Sequence, residues 1–285
     1  MLLFVLPALL MGAGIVALSD DDDGGGASGS GTPPATVDPT VGTDGADTVI
    51  GAATNDIIQS ASGQDAIYAN DGRDIIDSAA DDDRVFGGAG QDAIGGGAGD
   101  DFIRGGAQGD WLAGEAGDDT LRGDAGSDTL YGIDVLDSAG LQAAAEAAGQ
   151  SGQVLSDAQI ESYFDLNRAS DDPDEADSLH AGVGADTIYA GTNDIVTTGD
   201  GADQVVLGDW VDASGNVIIT DFAPASDTIV YQHASGTTAP TNFTFVDDGQ
   251  NAQLQADGQT IAVLQGVQSA DLESVTVSVL TYSTA

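Results

Sequence analysis

Ten aspartates stand nine residues apart without a slip: Asp47, Asp56, Asp65, Asp74, Asp83, Asp92, Asp101, Asp110, Asp119 and Asp128. Two residues after each comes an aliphatic side chain: Val49, Ile58, Ile67, Ile76, Val85, Ile94, Ile103, Leu112, Leu121 and Leu130. A short fixed period marks a repeat architecture, in which each unit buries its apolar residue by stacking on its neighbours. Stacking the units also stacks the carboxylates. Like charges held that close need a cation between them, so the chemistry this spacing suggests is metal binding.

The turns that must position those carboxylates are rich in glycine. The clearest copies run from Gly87 to Tyr131 and begin Gly87-Gly88-Ala89-Gly90-Gln91-Asp92-Ala93-Ile94-Gly95. This pattern resembles the GGxGxDxUx nonapeptide of the RTX, or haemolysin-type, calcium-binding repeats. The resemblance implies an all-β fold, a right-handed parallel β-roll, in which each nonapeptide forms half a coil. Its glycines turn the chain and x-U-x is a short strand.

Residue physics points the same way. Glycine is the residue that adopts positive φ at little cost, which GGxG turns demand repeatedly. In a three-residue strand the central aliphatic points inward and its flanks point out. Two half-coils make a coil, so residues eighteen apart stack. Asp47, Asp65, Asp83, Asp101 and Asp119 then line one edge, and Asp56, Asp74, Asp92, Asp110 and Asp128 the other. At a strand spacing of ~4.8 Å, two carboxylates repel by ~1 kcal/mol in water and ~3–4 kcal/mol at an effective dielectric near 20. Calcium, with oxygen ligands at ~2.4 Å, fits between successive coils and takes turn carbonyls as further ligands. Magnesium prefers a tighter octahedron and keeps its waters. Zinc lacks its usual ligands, because cysteine is absent and the only histidines are His180 and His233.

Some copies depart from the pattern. Ser60, Ala69, Ser78 and Asp81 stand where glycine is expected, and Thr54 and Gln108 replace the fourth-position glycine. Calcium binding is therefore expected first along Gly87 to Tyr131. The repeat resumes at Ala181-Gly182-Val183-Gly184-Ala185-Asp186, with Asp194 one residue short of register and Asp203 in another good copy. Asp186, Asp194 and Asp203 join the expected metal ligands, and Asp177 with Leu179 reads as a partial copy.

Charge bounds the partners. Forty-eight acidic residues face five arginines, for a formal net charge of −43. That balance opposes nucleic-acid binding, which needs basic contacts to phosphate, and opposes docking on anionic lipid. Self-repulsion also destabilises a compact metal-free chain. Roughly eight to ten calcium ions would cancel about 16–20 charges. Sites of the weak extracellular class, with Kd of about 10⁻⁴–10⁻³ M, stay empty at cytosolic calcium and fill outside the cell. No disulfide is available to stabilise the chain there.

The sequence divides into six stretches. Residues 1–18 are apolar and read as a secretory signal, a membrane anchor or a core helix. Residues 19–40 form an acidic and Gly/Ser/Pro-rich tether. The roll occupies 41–133 and, after a helical insert at 134–176, continues through 177–208. In the insert, Ala139 to Ala148 predicts one short helix, and Ser156 with Gln159 a capping box opening a second. Asn167 to Asp177 is an acidic loop. Residues 209–285 read as an antiparallel β cap, with Asp248-Gly249 and Asp257-Gly258 as hairpin turns. The RTX resemblance makes the C-terminal tail a signal for type I secretion.

No catalytic motif is apparent: there is neither a His-Glu-x-x-His helix nor a Gly-x-Ser-x-Gly elbow. The expected function is extracellular calcium binding coupled to folding, in a secreted or cell-surface structural or adhesive protein. Its partners are calcium and a cell-surface or matrix ligand; a membrane is reached only through an uncleaved N-terminal segment. The alternative is an RTX-linked hydrolase or polysaccharide-modifying enzyme with its site in the insert or the C-terminal region.

Overall fold

The computed structural model describes residues 14–17, 40–150, 153–166, 175–211 and 213–282. Most of the apolar N-terminal segment, nearly all of the tether, most of the acidic loop and the last three residues lie outside them.

Two sheets face each other, and the chain alternates between them at every half-coil. Among the described residues the first sheet runs, in spatial order, Gly14–Ala17, Asp47–Ile50, Ala66–Asp71, Arg84–Ala89, Phe102–Ala107, Thr120–Ala125, Ser178–Gly184, Ile195–Gly201 and Val217–Ile219. The second runs Thr40–Val41, Ile57–Gln59, Ile75–Asp77, Ala93–Ala98, Trp111–Ala116, Thr129–Tyr131, Thr187–Tyr189, Gln204–Gly208, Thr228–Ala234 and Val277–Tyr282. All these neighbours pair in parallel, and in the uninterrupted coils the register is eighteen residues, as in Val85 opposite Ile103 and Leu112 opposite Ile94. This is the parallel β-roll.

The core is a single file from each sheet. Val49, Ile67, Val85, Ile103, Leu121, Leu179 and Val196 from the first meet Ile58, Ile76, Ile94, Leu112, Leu130, Ile188 and Val205 from the second, all fully or almost fully buried. The nine-residue spacing of the aliphatics is thus the spacing of half-coils.

The insert leaves the stacking intact. The amide of Asp119 donates to Asp177 across 58 residues, 40 more than the 18 separating Asp101 from Asp119. Strand Ser178–Gly184 then pairs directly with Thr120–Ala125. Within the excursion, α1 (Ser138–Gln150) is alanine-rich and starts where Asp137 accepts the Gly140 amide. It buries Leu141, Ala145 and Gly149, one stripe at helical spacing. α2 (Asp157–Glu161) follows Ser156, whose amide donates to the Gln159 side chain as the capping box requires.

The insert covers the outer face of the second sheet. Outward-facing Ile57, Ile75, Ala93, Ala113 and Tyr131 are buried there. Leu136 reaches over Gly95, where any Cβ would collide with it. Tyr131 stacks between Phe164 and Tyr189, with ring centroids 4.9 and 4.7 Å away. Arg73 pairs with Asp157 at 2.7 Å and lies 5.7 Å from the Trp111 ring centroid, binding α2 to the roll.

Of the antiparallel cap expected over 209–285, only Phe243–Asp247, Ala252–Ala256 and Gln259–Leu264 form an antiparallel meander among the described residues; Val217–Ile219, Thr228–Ala234 and Val277–Tyr282 extend the roll in parallel beyond residue 208. Asp257 and Gly258 both have positive φ in the tight turn between the meander's last two strands. The meander is joined to the roll in parallel, Val217–Ile219 lying along Ala262 to Leu264. The core makes the fold sensitive to small deletions. Replacing Ile103 by Ala is expected to cost about 2–5 kcal/mol of the calcium-loaded protein's stability, measured by urea denaturation at millimolar calcium. A loss under about 0.5 kcal/mol would contradict the single-file core.

Candidate metal centre

Each repeat delivers its aspartate at the end of a turn, immediately before the strand. The backbone of those turns is left-handed where the sequence has glycine and also where it does not. Gly88, Gly97 and Gly106 have positive φ at the second turn position, and so do Ala61, Asn70, Ala79, Glu115 and Asp124. Asp81 and Gln108 adopt it at the fourth. Stacking on intact neighbours imposes the conformation on residues that disfavour it.

The carboxylates form two continuous ladders. One contains Asp47, Asp65, Asp83, Asp101, Asp119, Asp177 and Asp194; the other Asp56, Asp74, Asp92, Asp110, Asp128, Asp186, Asp203 and Asp227. In each step the backbone amide of one aspartate donates to Oδ1 of the aspartate in the next coil, at 2.7–3.3 Å. All thirteen expected ligands, Asp186, Asp194 and Asp203 included, lie in the ladders, buried to within 8% exposure. Asp177, read from the sequence only as a partial copy, is a full member. So is Asp227, whose place in the ladder no nine-residue count reveals.

The second carboxylate oxygen separates the members into two groups. Oδ2 of Asp65, Asp74, Asp83, Asp92, Asp101, Asp110, Asp119, Asp128, Asp186 and Asp203 is buried and accepts no hydrogen bond. Near the ends of the ladders it is satisfied locally: Asp47 accepts from Thr43, Asp56 from Ala52, Asp194 from Gly191 and Asp227 from Ala223. Asp47, Asp56 and Asp194 are therefore weaker candidates for metal than the sequence alone suggests.

Five of the orphaned oxygens, those of Asp92, Asp101, Asp110, Asp119 and Asp128, pack against the first-position glycine of their own turn. A Cβ built on Gly87 would sit 2.5 Å from Asp92 Oδ2 and 2.7 Å from the Gly105 carbonyl of the next coil. The same pair of oxygen types, Asp101 Oδ2 and the Gly114 carbonyl, flanks Gly96. Each such cradle offers a carboxylate and a carbonyl, both hard oxygens. Among the described residues no three acidic or histidine side chains converge on one point. Backbone carbonyls must then complete any coordination shell, which suits calcium, a cation that accepts carbonyl oxygens and irregular geometry.

Burial perturbs these groups strongly. Desolvation, reinforced by neighbouring carboxylates, pushes Asp110 and Asp119 up to about 9 and Asp74 and Asp83 up to about 8. Desolvation also raises Asp101 and Asp128 to about 7, and Asp92 to about 6, where Arg73 partly opposes it.

Residues 41–76, 60–94, 68–103, 77–112, 104–132 and 174–205 match the RTX calcium-binding nonapeptide repeat. Residues 41–132 and 174–205 of the roll thus carry RTX calcium-binding nonapeptide repeats. No curated protein matches the sequence. Among solved structures, it is similar to the extracellular lipase LipA of Serratia marcescens at 17% identity and a TM-score of 0.24, covering 84% of this chain and 40% of the lipase. A score that low carries no argument about activity.

Two outcomes test the centre. Asp101→Ala and Asp119→Ala are each expected to raise the calcium midpoint for folding. Asp119→Asn, which keeps an acceptor for the Asp101 amide while removing the charge, should raise it too. Superimposable calcium titrations by circular dichroism for wild type and all three variants would refute the ligand assignment. The second outcome concerns pH. In the metal-free fold the raised carboxyls hold protons that an unfolded chain, near 3.8, has released. Their contribution to stability is complete below that value and disappears as pH rises through about 6 to 9. The calcium-free protein should therefore gain β structure on mild acidification from pH 8 to pH 5 (roughly the span of these shifts), whereas saturating calcium should flatten the profile.

Proposed function

We propose that this chain is an extracellular calcium-binding protein whose roll assembles as calcium fills the ladders, and that it serves as a surface structural or adhesive element. The observation carrying the reading is the row of buried, unpartnered Oδ2 atoms in a chain of formal charge −43. Bound calcium would supply the positive charge and the bridge between coils. Asp92, Asp101, Asp110, Asp119 and Asp128 would hold it, with the carbonyls of the facing turns. Binding only to the folded chain stabilises it by RT ln(1 + [L]/Kd) per site. Weak sites, with Kd of about 10⁻⁴–10⁻³ M, then couple folding to export into millimolar calcium. Export through the C-terminal tail follows from the RTX resemblance.

The adhesive part of the proposal draws on the outer face of the first sheet, opposite the insert. Tyr68 and Phe86 stack there with centroids 5.0 Å apart, and Phe102 continues the column at 5.9 Å. Arg122 lies 5.5 Å from the Phe102 ring centroid. Arg84, Arg104 and Arg122, three of the five basic residues in the chain, stand on this face. A face both aromatic and basic, on an otherwise acidic molecule, suits a polar surface ligand. Among the described residues no helix is long and apolar enough to cross a membrane.

The hydrolase reading has less behind it. His233 hydrogen-bonds Thr281 and Thr237 at the surface, and His180 lies beside Arg122 on the open face. Cells lacking the protein are expected to attach less to surfaces at millimolar calcium, and Arg84→Glu with Arg122→Glu should reproduce the deficit without changing the calcium titration. Normal attachment in both would remove the adhesive role. Turnover of peptide, ester or polysaccharide substrates by the calcium-loaded chain would favour the enzyme instead.

A further inference from the structure

The outer face of the first sheet carries a run of side chains that changes chemistry partway along it. Immediately after each inward aliphatic, Ile50, Tyr68, Phe86, Arg104, Arg122 and His180 stand opposite one another in successive coils. The run is apolar and aromatic through Phe86 and cationic at Arg104 and Arg122. At the junction lies a depression of about 520 Å³, within the ~300–1,000 Å³ range of small-molecule sites. Phe86 lines one side of it, and Arg104 with Asp124 the other. Gly88, Gly105 and Gly106 bring only backbone to the space between.

The walls of this depression fit one kind of ligand. The Phe86 ring stacks on Tyr68 with the two planes 2° apart, so packing holds it in place. Arg104 Nε donates to Asp124 Oδ2, and the pair is neutral overall. It sets guanidinium donors beside a carboxylate acceptor, a combination that neighbouring hydroxyls satisfy because each both donates and accepts. The negative π face of an aromatic ring attracts polarised C–H groups. Charge removes the alternatives. At long range a chain of formal charge −43 repels polyanions, even with about 16–20 of those charges cancelled by calcium. At short range Arg84, Arg104 and Arg122 repel a cation from the same face. An uncharged molecule with hydroxyls and C–H faces meets neither obstacle.

We propose that the depression between Phe86 and the Arg104–Asp124 pair is a saccharide subsite for an uncharged surface polysaccharide. The inference rests on the adhesive reading of this face and names its ligand class. A sugar ring lays its C–H face against Phe86, and its hydroxyls bond Arg104 and Asp124. Phe86 supplies contact area; the ion pair sets the orientation of the sugar. A longer glycan lying along the column meets Tyr68 on one side of the subsite and Arg122 on the other.

The test runs the full chain at millimolar calcium through native gels containing dextran, galactomannan or xyloglucan, all uncharged, or hyaluronate, a polyanion. Retardation by at least one uncharged polymer is expected. Phe86→Ala and Arg104→Ala should each weaken it about tenfold, with the calcium titration by circular dichroism unchanged. The Arg104 side chain is 54% exposed, so Arg104→Ala decides the matter should Phe86→Ala fail to fold. The subsite is overturned by no retardation in any uncharged polymer, by retardation in hyaluronate alone, or by equal retardation of wild type and every folded variant. Cell attachment separates this from the adhesive role. Attachment lost with the protein, but no polymer bound, removes the subsite and leaves the adhesive role; polymer bound with normal attachment does the reverse.

Discussion

The interaction on which this structure depends is the division of labour within one carboxylate. In each step of a ladder, Oδ1 accepts the amide of the aspartate one coil away, so the side chain is part of the backbone's own hydrogen-bond scheme. That bond fixes the carboxylate in a buried position and leaves Oδ2 with nothing to accept. A buried, unpaired charge is among the most expensive groups a protein can contain. The geometry that stacks the coils therefore also creates the need for a counter-charge. A core of one aliphatic per half-coil is thin, so the cost of that buried charge weighs heavily against it.

Much of this is legible in the sequence because the repeat is local. A nine-residue period assigns the inward aliphatics, the turns and both ladders by counting, and a capping box marks Ser156 as a helix start. Where counting fails, so does the reading. Asp177 follows a 40-residue interruption and shows only a partial copy, and Asp227 follows a long excursion through Trp210 and Val217, so the pairing of distant strands is what makes both full ladder members. The end effects are equally hidden. Asp47 and Asp56 fall in the same nine-residue count as Asp101, and Asp194 one residue short of it, yet their second oxygens are taken by amides of their own turns. The aromatic column is split between the two positions flanking the aliphatic, Tyr68 and Phe86 after it and Phe102 before it. A position-by-position scan therefore does not align them.

The two sheet faces also have different fates. On one, the insert buries Ile57, Ile75 and Tyr131, and Arg73 holds α2 in place through Asp157 and Trp111. On the other, aromatic and basic side chains remain at the surface. The roll has a structural back and a chemically distinctive front, a distinction its repeat pattern alone does not contain.

The 40-residue departure between Asp119 and Asp177 returns the chain to the coil in register, with the amide-to-carboxylate bond at 2.8 Å as in uninterrupted steps. Closing a longer loop costs little more than closing a short one. A turn of this solenoid thus behaves as a splice point: foreign cassettes can be carried on its flank, and lineages or designers can add modules there without renumbering the scaffold underneath.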